Sequence, residues 1–165
     1  MAINTDPPRT RRPPVVDIVI EIPRGSFLKR GSSGQVDFVS PLPCPFNYGS
    51  VPDYIGLDGD LLDAVVLGPR VAPGTYLRLP AHGAIGFMDR DLYDDKLICS
   101  VDPITEGQRR VIVKFFILYA RCKQVLNRYR GRNGLTRCEG WGDAHDAIAR
   151  SRPHDDSWVG PVVPF

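Results

Sequence analysis

Proline decides much of what the first half of this chain can become. Pro41, Pro43, Pro45 and Pro52 stand so close together between Gly31 and Gly59 that no helix survives there. Each ring removes a backbone donor and collides with the preceding turn. The same span is dense in Gly, Ser and Asn, with short apolar pieces between turn signals. On either side the pattern is that of strands. Val15–Ile22 is a β-branched run stopped by Pro23 and Gly25, and residues 61–67, 76–79, 84–88 and 96–101 complete at least five short strands, with a break expected around His82 and Gly83. The period then changes. Between residues 106 and 126 apolar side chains recur at 112, 115, 116, 119, 122 and 126, a helical stripe, and a second, short helix is expected over residues 142–150, ahead of Pro153. Many short strands followed by helix predict a mainly β, α+β architecture, a small barrel with helices packed outside.

At 165 residues and 42% hydrophobic content the chain suits one domain with a real core, which excludes disorder of the whole. Residues 1–14 read as a flexible arm, 15–150 as the domain and 151–165 as an irregular tail. The longest apolar stretch, residues 111–119, is interrupted by Lys114, well short of the roughly 20 residues of a membrane span. Asp6, Pro7, Pro8 and the arginines behind them are followed by no apolar segment, so no secretory signal is expected. Cys44, Cys99, Cys122 and Cys138 are irregularly spaced, without a Cys-x-x-Cys pair, and read as reduced thiols of a cytoplasmic protein.

The net charge of +2 hides a segregation. Residues 31–108 carry 11 acidic and four basic side chains, whereas residues 109–150 carry 10 basic and three acidic ones. An acidic middle beside a basic flank suits a site that handles cations and anions together, and equally suits two oppositely charged solvated faces.

The sharpest local feature is Asp58-Gly59-Asp60-Leu61-Leu62-Asp63. Three carboxylates within six residues repel one another and call for a cation between them, and oxygen donors of this kind suit Mg²⁺ or Ca²⁺. The glycine falls too early for an EF-hand, and a capped, solvated loop explains the run as well if it is taken alone. A second acidic group, Asp89-Arg90-Asp91-Leu92-Tyr93-Asp94-Asp95-Lys96, also lies between a strand end and a strand start, so the two rims can face each other across a barrel mouth. Lysine is scarce, four against 17 arginines, yet Lys96 sits within this rim and Lys29 follows the first strand, compact charges suited to phosphate.

In sequence order, Glu21-Ile22-Pro23-Arg24-Gly25-Ser26 with Lys29, Pro43-Cys44-Pro45-Phe46-Asn47-Tyr48-Gly49, the 58–63 aspartate motif, Asp94-Asp95-Lys96, Phe115-Phe116-Ile117-Leu118-Tyr119 and Glu139-Gly140-Trp141-Gly142 resemble the soluble family I inorganic pyrophosphatases over roughly residues 15–150. The resemblance implies an OB-like five-stranded β-barrel with one long and one short C-terminal helix, hydrolysing pyrophosphate to two phosphates with Mg²⁺, in a homo-oligomer. It implies Asp58, Asp63 and Asp94 as metal ligands, Asp60 as acceptor of the nucleophilic water's proton, Glu21 as a water-mediated outer ligand, and Asp89 or Asp91 as a further one. Lys29, Tyr48, Lys96 and Tyr119 would hold the phosphates. The chain also departs from the family pattern. Arg30-Gly31 stands where Tyr-Glu is usual, the arginine of an Asp-Arg-Phe run is missing from Val36-Asp37-Phe38-Val39, Cys44 replaces a tyrosine, and Ala120 replaces a lysine. Arg30, Arg121 and Lys123 are the candidates to compensate. These losses support a second reading, a catalytically impaired protein of the same fold that binds a phosphorylated ligand or a partner. A third is a nucleic-acid binder, since Arg121, Lys123, Arg128, Arg130, Arg132 and Arg137 form a basic run around Tyr129, although such runs are more often solvated.

Overall fold

The computed structural model describes residues 11–30, 36–40 and 42–157, with the side chains of 29, 30 and 36–38 outside that description. Along the described chain stand β1 (Val15–Ile22), β2 (Leu28–Arg30), β3 (Val36–Val39), β4 (Asn47–Ile55), β5 (Leu61–Val66), β6 (Tyr76–Asp89), β7 (Leu92–Tyr93), β8 (Lys96–Cys99), α1 (Glu106–Tyr129), β9 (Arg137–Gly142), α2 (Ala144–Arg150) and β10 (Arg152–Pro153). The β-branched alternation of β1 buries Val16, Ile18, Ile20 and Ile22. Its two edges bond antiparallel to β4 and to β6, and this double pairing closes the sheet in the order β1, β4, β5, β8, β6. The result is the expected five-stranded, OB-like barrel with two helices. β5 and β8 are parallel, whereas the other barrel neighbours are antiparallel.

Alternation along each strand divides the apolar side chains between two clusters. Leu62, Ala64 and Val66 join Ile18, Ile20, Val51 and Leu97 inside the barrel, plugged by Ala144 and Ala147 of α2. Val65, on the opposite face, joins Ile85, Phe87 and Ile98 beneath Ile112, Phe116 and Ala120 of α1. Burying one such large side chain is worth about 1.5–3 kcal/mol, so α1 is held mainly by this face. Thr105 caps it: its Oγ1 accepts from the Gln108 N–H, and Gln108 Oε1 accepts from the Thr105 N–H.

Three expectations change. The break at His82 and Gly83 is a bulge, not a gap: β6 runs unbroken, and its register with β8 shifts between Ala81 and Gly83. β9 was unforeseen because Arg137-Cys138-Glu139-Gly140-Trp141-Gly142 lacks alternation and stays half-exposed; β6 recruits it through the backbone. The tail is not wholly irregular, since Arg152 and Pro153 pair with Ile55 and Tyr54. No helix among the described residues is long and apolar enough to cross a membrane.

Candidate active site

Because β5 and β8 run parallel, the turns that lead into them open at the same end of the barrel, and Asp63 lies beside Lys96 in register. The turn before β5 is tight. Gly59 adopts φ +86°, a conformation that strains other residues, while Asp58 Oδ1 accepts from the Asp60 N–H at 3.1 Å and Asp60 Oδ1 from the Leu61 N–H at 2.8 Å. Lys96 is 3% exposed, and its Nζ donates to Asp63 Oδ2 at 2.8 Å and stands 2.9 Å from Asp94 Oδ2. That ammonium also sits 4.9 Å from the ring centroid of Phe87, and the hydroxyl of Tyr48, from β4, donates to Asp63 Oδ2. From α1, Phe115 and Tyr119 stack at 6.0 Å, with Tyr119 packed 5.9 Å from Phe87. A cavity of about 80 Å³, open to solvent, lies between these groups, lined by Tyr48, Asp63, Asp94, Lys96, Tyr119 and Lys123, with Ile22, Ser40, Cys44, Phe115 and Phe116 as its less polar wall.

The family model for inorganic pyrophosphatase matches residues 18–149. The chain belongs to the inorganic pyrophosphatases. It is 30% identical to an inorganic pyrophosphatase of Gluconobacter oxydans, over 89% of this chain and 93% of that one. It is 31% identical to one of Aquifex pyrophilus, over 86% and 88%. The crystal structure of the Thermus thermophilus inorganic pyrophosphatase superposes with a TM-score of 0.67 at 28% identity, covering 91% of each chain.

In this pyrophosphatase the acidic groups are strained by burial and by one another. Burial raises Asp58 to about 6, and the repulsion of Asp63 adds to it, against partial relief from the Asp60 N–H and Lys96. Burial raises Asp94 well above the carboxylate range; Lys96 opposes this, and Asp63 and Asp58 reinforce it. Burial alone would lower Lys96, but Asp63 and Asp94 outweigh it and keep the ammonium firmly protonated. Lys96, with a weaker contribution from Lys123 at Asp94, therefore undercompensates these carboxylates, and hard oxygen donors in excess of local positive charge suit a hard divalent ion. Among the described residues no three His, Cys, Asp or Glu side chains already converge on one point, and Lys96 stands between Asp63 and Asp94.

The remaining expected residues fall unevenly. Asp60 sits in the 58–63 turn, and Glu21 is half-buried in β1 beside Ile22, where the register with β4 shifts. The side chain of Lys29 lies outside the described residues. Asp91 is in the left-handed conformation at φ +67°, and its Oδ1 accepts from the Leu135 N–H. Asp89 is held by protein donors, with Lys123 Nζ 2.7 Å from its Oδ2, and Asn127 Nδ2 and Thr136 Oγ1 donating to its Oδ1 at 3.2 and 2.9 Å. Asn127 and Thr136 went unnoticed in the sequence, and Asn127 replaces the apolar residue a buried helix position suggests. The sequence offered Lys123 with Arg30 and Arg121 as a candidate to compensate the lost contacts, and its place four residues beyond Tyr119 puts both on one face of α1.

Proposed function

We propose that this chain hydrolyses pyrophosphate to two phosphates with Mg²⁺. The observation that carries this reading is the in-register pairing of Asp63 with Lys96, with Asp94 on the same ammonium and Tyr48 on the same carboxylate, in one cavity. Asp58, Asp63 and Asp94 are the metal ligands of this reading, with Glu21 an outer one. Bound Mg²⁺ would acidify water and neutralise phosphate charge. Asp60, oriented by the Leu61 N–H on its Oδ1, takes the proton of the attacking water. Lys96, Tyr48, Tyr119 and Lys29 would direct their donors to the phosphate oxygens and hold the two phosphoryl groups in place. Phosphoryl transfer consists mostly of such positioning and charge neutralisation. The same reading makes the protein cytoplasmic and a homo-oligomer, and for the oligomer the exposed Val111, Leu118 and Val125, spaced seven apart along α1, are the support.

The test is phosphate release from pyrophosphate with Mg²⁺, beside an Asp60→Asn control. Turnover that vanishes with EDTA and falls at least about 100-fold in the control is expected, the usual weight of a positioned general base. Equal rates in the two proteins would sink the proposal. Binding of pyrophosphate without turnover would instead favour the impaired, ligand-binding reading raised by Gly31 and Ala120.

A further inference from the structure

Asp63, Asp94 and Asp89 share one arrangement: each presents its Oδ2 to a lysine ammonium of the cavity wall, at 2.8, 2.9 and 2.7 Å. Asp89 is distinguished by what holds its other oxygen. Its Oδ1 accepts from Thr136 Oγ1 at 2.9 Å and from Asn127 Nδ2 at 3.2 Å, and Asn127 Nδ2 also donates to Thr136 Oγ1 at 3.2 Å. Both donors are neutral and buried, Asn127 at 2% and Thr136 at 5% exposure. Asn127 stands on the inward face of α1 that Ile112, Phe116 and Ala120 otherwise make apolar. Burying an amide costs free energy that its hydrogen bonds only offset, so packing alone does not call for one there.

The pair is itself anchored on both sides. Gln124, one helical turn before Asn127, accepts the Thr136 N–H at 2.6 Å through Oε1 and donates through Nε2 to the Gly134 carbonyl at 3.3 Å. The turn that follows Asp89 locks onto the same segment: the Asp91 N–H donates to the Leu135 carbonyl at 3.1 Å, and Gly134 packs so closely that an added Cβ would lie 2.6 Å from the Arg90 Cα. Asp89 is therefore clamped between α1 and residues 134–136.

We infer that Asn127 and Thr136 are positioning residues of this hydrolase, fixing one oxygen of Asp89 with neutral donors so that Oδ2 serves the carboxylate set that takes the divalent ion. The inference rests on the pyrophosphatase reading, with Asp89 as the further carboxylate beside Asp58, Asp63 and Asp94. A cation on Oδ1 would cancel the charge that a hard ion seeks, whereas an amide and a hydroxyl hold the group and leave its charge in place. Carboxylates that bind metal are oriented by such outer hydrogen bonds, and losing one typically costs about 10- to 100-fold in metal affinity.

The test reads Mg²⁺ binding by calorimetry without substrate, beside steady-state hydrolysis at limiting and at saturating Mg²⁺. Thr136→Val removes the hydroxyl at nearly constant shape, Thr136→Ser keeps it, and Asn127→Leu removes both amide donations. Thr136→Val and Asn127→Leu should each bind Mg²⁺ about 10-fold more weakly and lose kcat at limiting but not at saturating Mg²⁺. Thr136→Ser, which restores the donor, should recover most of the affinity. In an Asp89→Asn background, Thr136→Val should weaken binding no further. The Val and Ser variants decide the case even where Asn127→Leu fails to fold. Unchanged Mg²⁺ affinity in Thr136→Val, even with a lowered Tm, would overturn the inference and reduce the network to a structural tie. Unchanged affinity in Asp89→Asn would overturn it as well, and either result leaves the hydrolytic reading intact. A wild-type protein that neither binds Mg²⁺ nor hydrolyses pyrophosphate would overturn the reading itself, and the inference with it.

Discussion

Asp58 bears the cost of its neighbours most openly. Its carboxyl rises from 3.8 to about 6 through burial and the repulsion of Asp63. A carboxylate with a raised folded-state value binds its proton more tightly folded than unfolded. Without metal, stability therefore falls as pH rises from about 4 through 6 and stays low above that. Asp94, raised in the same direction, adds to the slope. Asp58→Asn keeps an acceptor for the Asp60 N–H and removes the charge. In EDTA at pH 8 it should unfold at higher urea than wild type, with the difference shrinking towards pH 4.5; in Mg²⁺ the order should reverse, because wild type alone keeps the full donor set. Urea midpoints at the two pH values check this, and a variant no more stable than wild type in EDTA at pH 8 would refute it. Aspartates of this kind were legible in the sequence because repulsion within a glycine-bearing turn is a local fact. The fate of Asp89 was not, because its partners Lys123, Asn127 and Thr136 come from elements 34 to 47 residues away.

At the scale of elements, the parallel contact of β5 with β8 brings the two acidic turns to one end, and the strands that make it possible depend on β1 bonding at both edges. That double pairing is tight at Gly49, where an added Cβ would lie 2.0 Å from the Val19 carbonyl oxygen. Gly49→Ala should push β1 from β4 at a cost of about 1–3 kcal/mol, a fall in Tm of roughly 2–12 °C for a chain of this size. Differential scanning calorimetry reads the shift, and a Tm within 1 °C or so of wild type would show that the two strands separate at no cost. The strands with clear alternation, such as β1, were readable from sequence because burial imposes a period of two. β9 and β10 were not, since backbone pairing with β6 and β4 recruits them without an apolar pattern of their own. The bulge in β6 misled for a related reason: Gly83 meets the Trp141 ring across the sheet, a demand that only the folded neighbour makes visible.

Across the whole molecule the charge segregation resolves into pairing. The basic stretch after residue 108 sends Lys123 to Asp89 and Arg150 to Asp95, so cations from both helices meet acids of the middle of the chain. Arg150, at the end of α2, holds Asp95 Oδ2 through Nε and Nη2 at 3.0 and 2.7 Å. Asp95 is 6% exposed and stands between Asp94 and Lys96, so α2 is tied to the strand that carries the cavity's central charges. Removing Arg150 strands a buried carboxylate, and such a loss costs several kcal/mol when both partners are buried. Arg150 is half-exposed, and water can partly replace it, which lowers the expected cost of Arg150→Met to about 1–3 kcal/mol. Asp95→Asn removes the charge that Arg150 serves, so the double variant should be more stable than the sum of the single losses allows. Urea unfolding of the four proteins measures this coupling. Strict additivity would mean that α2 is held by its apolar face, Ala144, Ala147 and Ile148, without the ion pair; a coupling of at least about 1 kcal/mol would make the ion pair the link through which the C-terminal helix steadies Asp94 and Lys96.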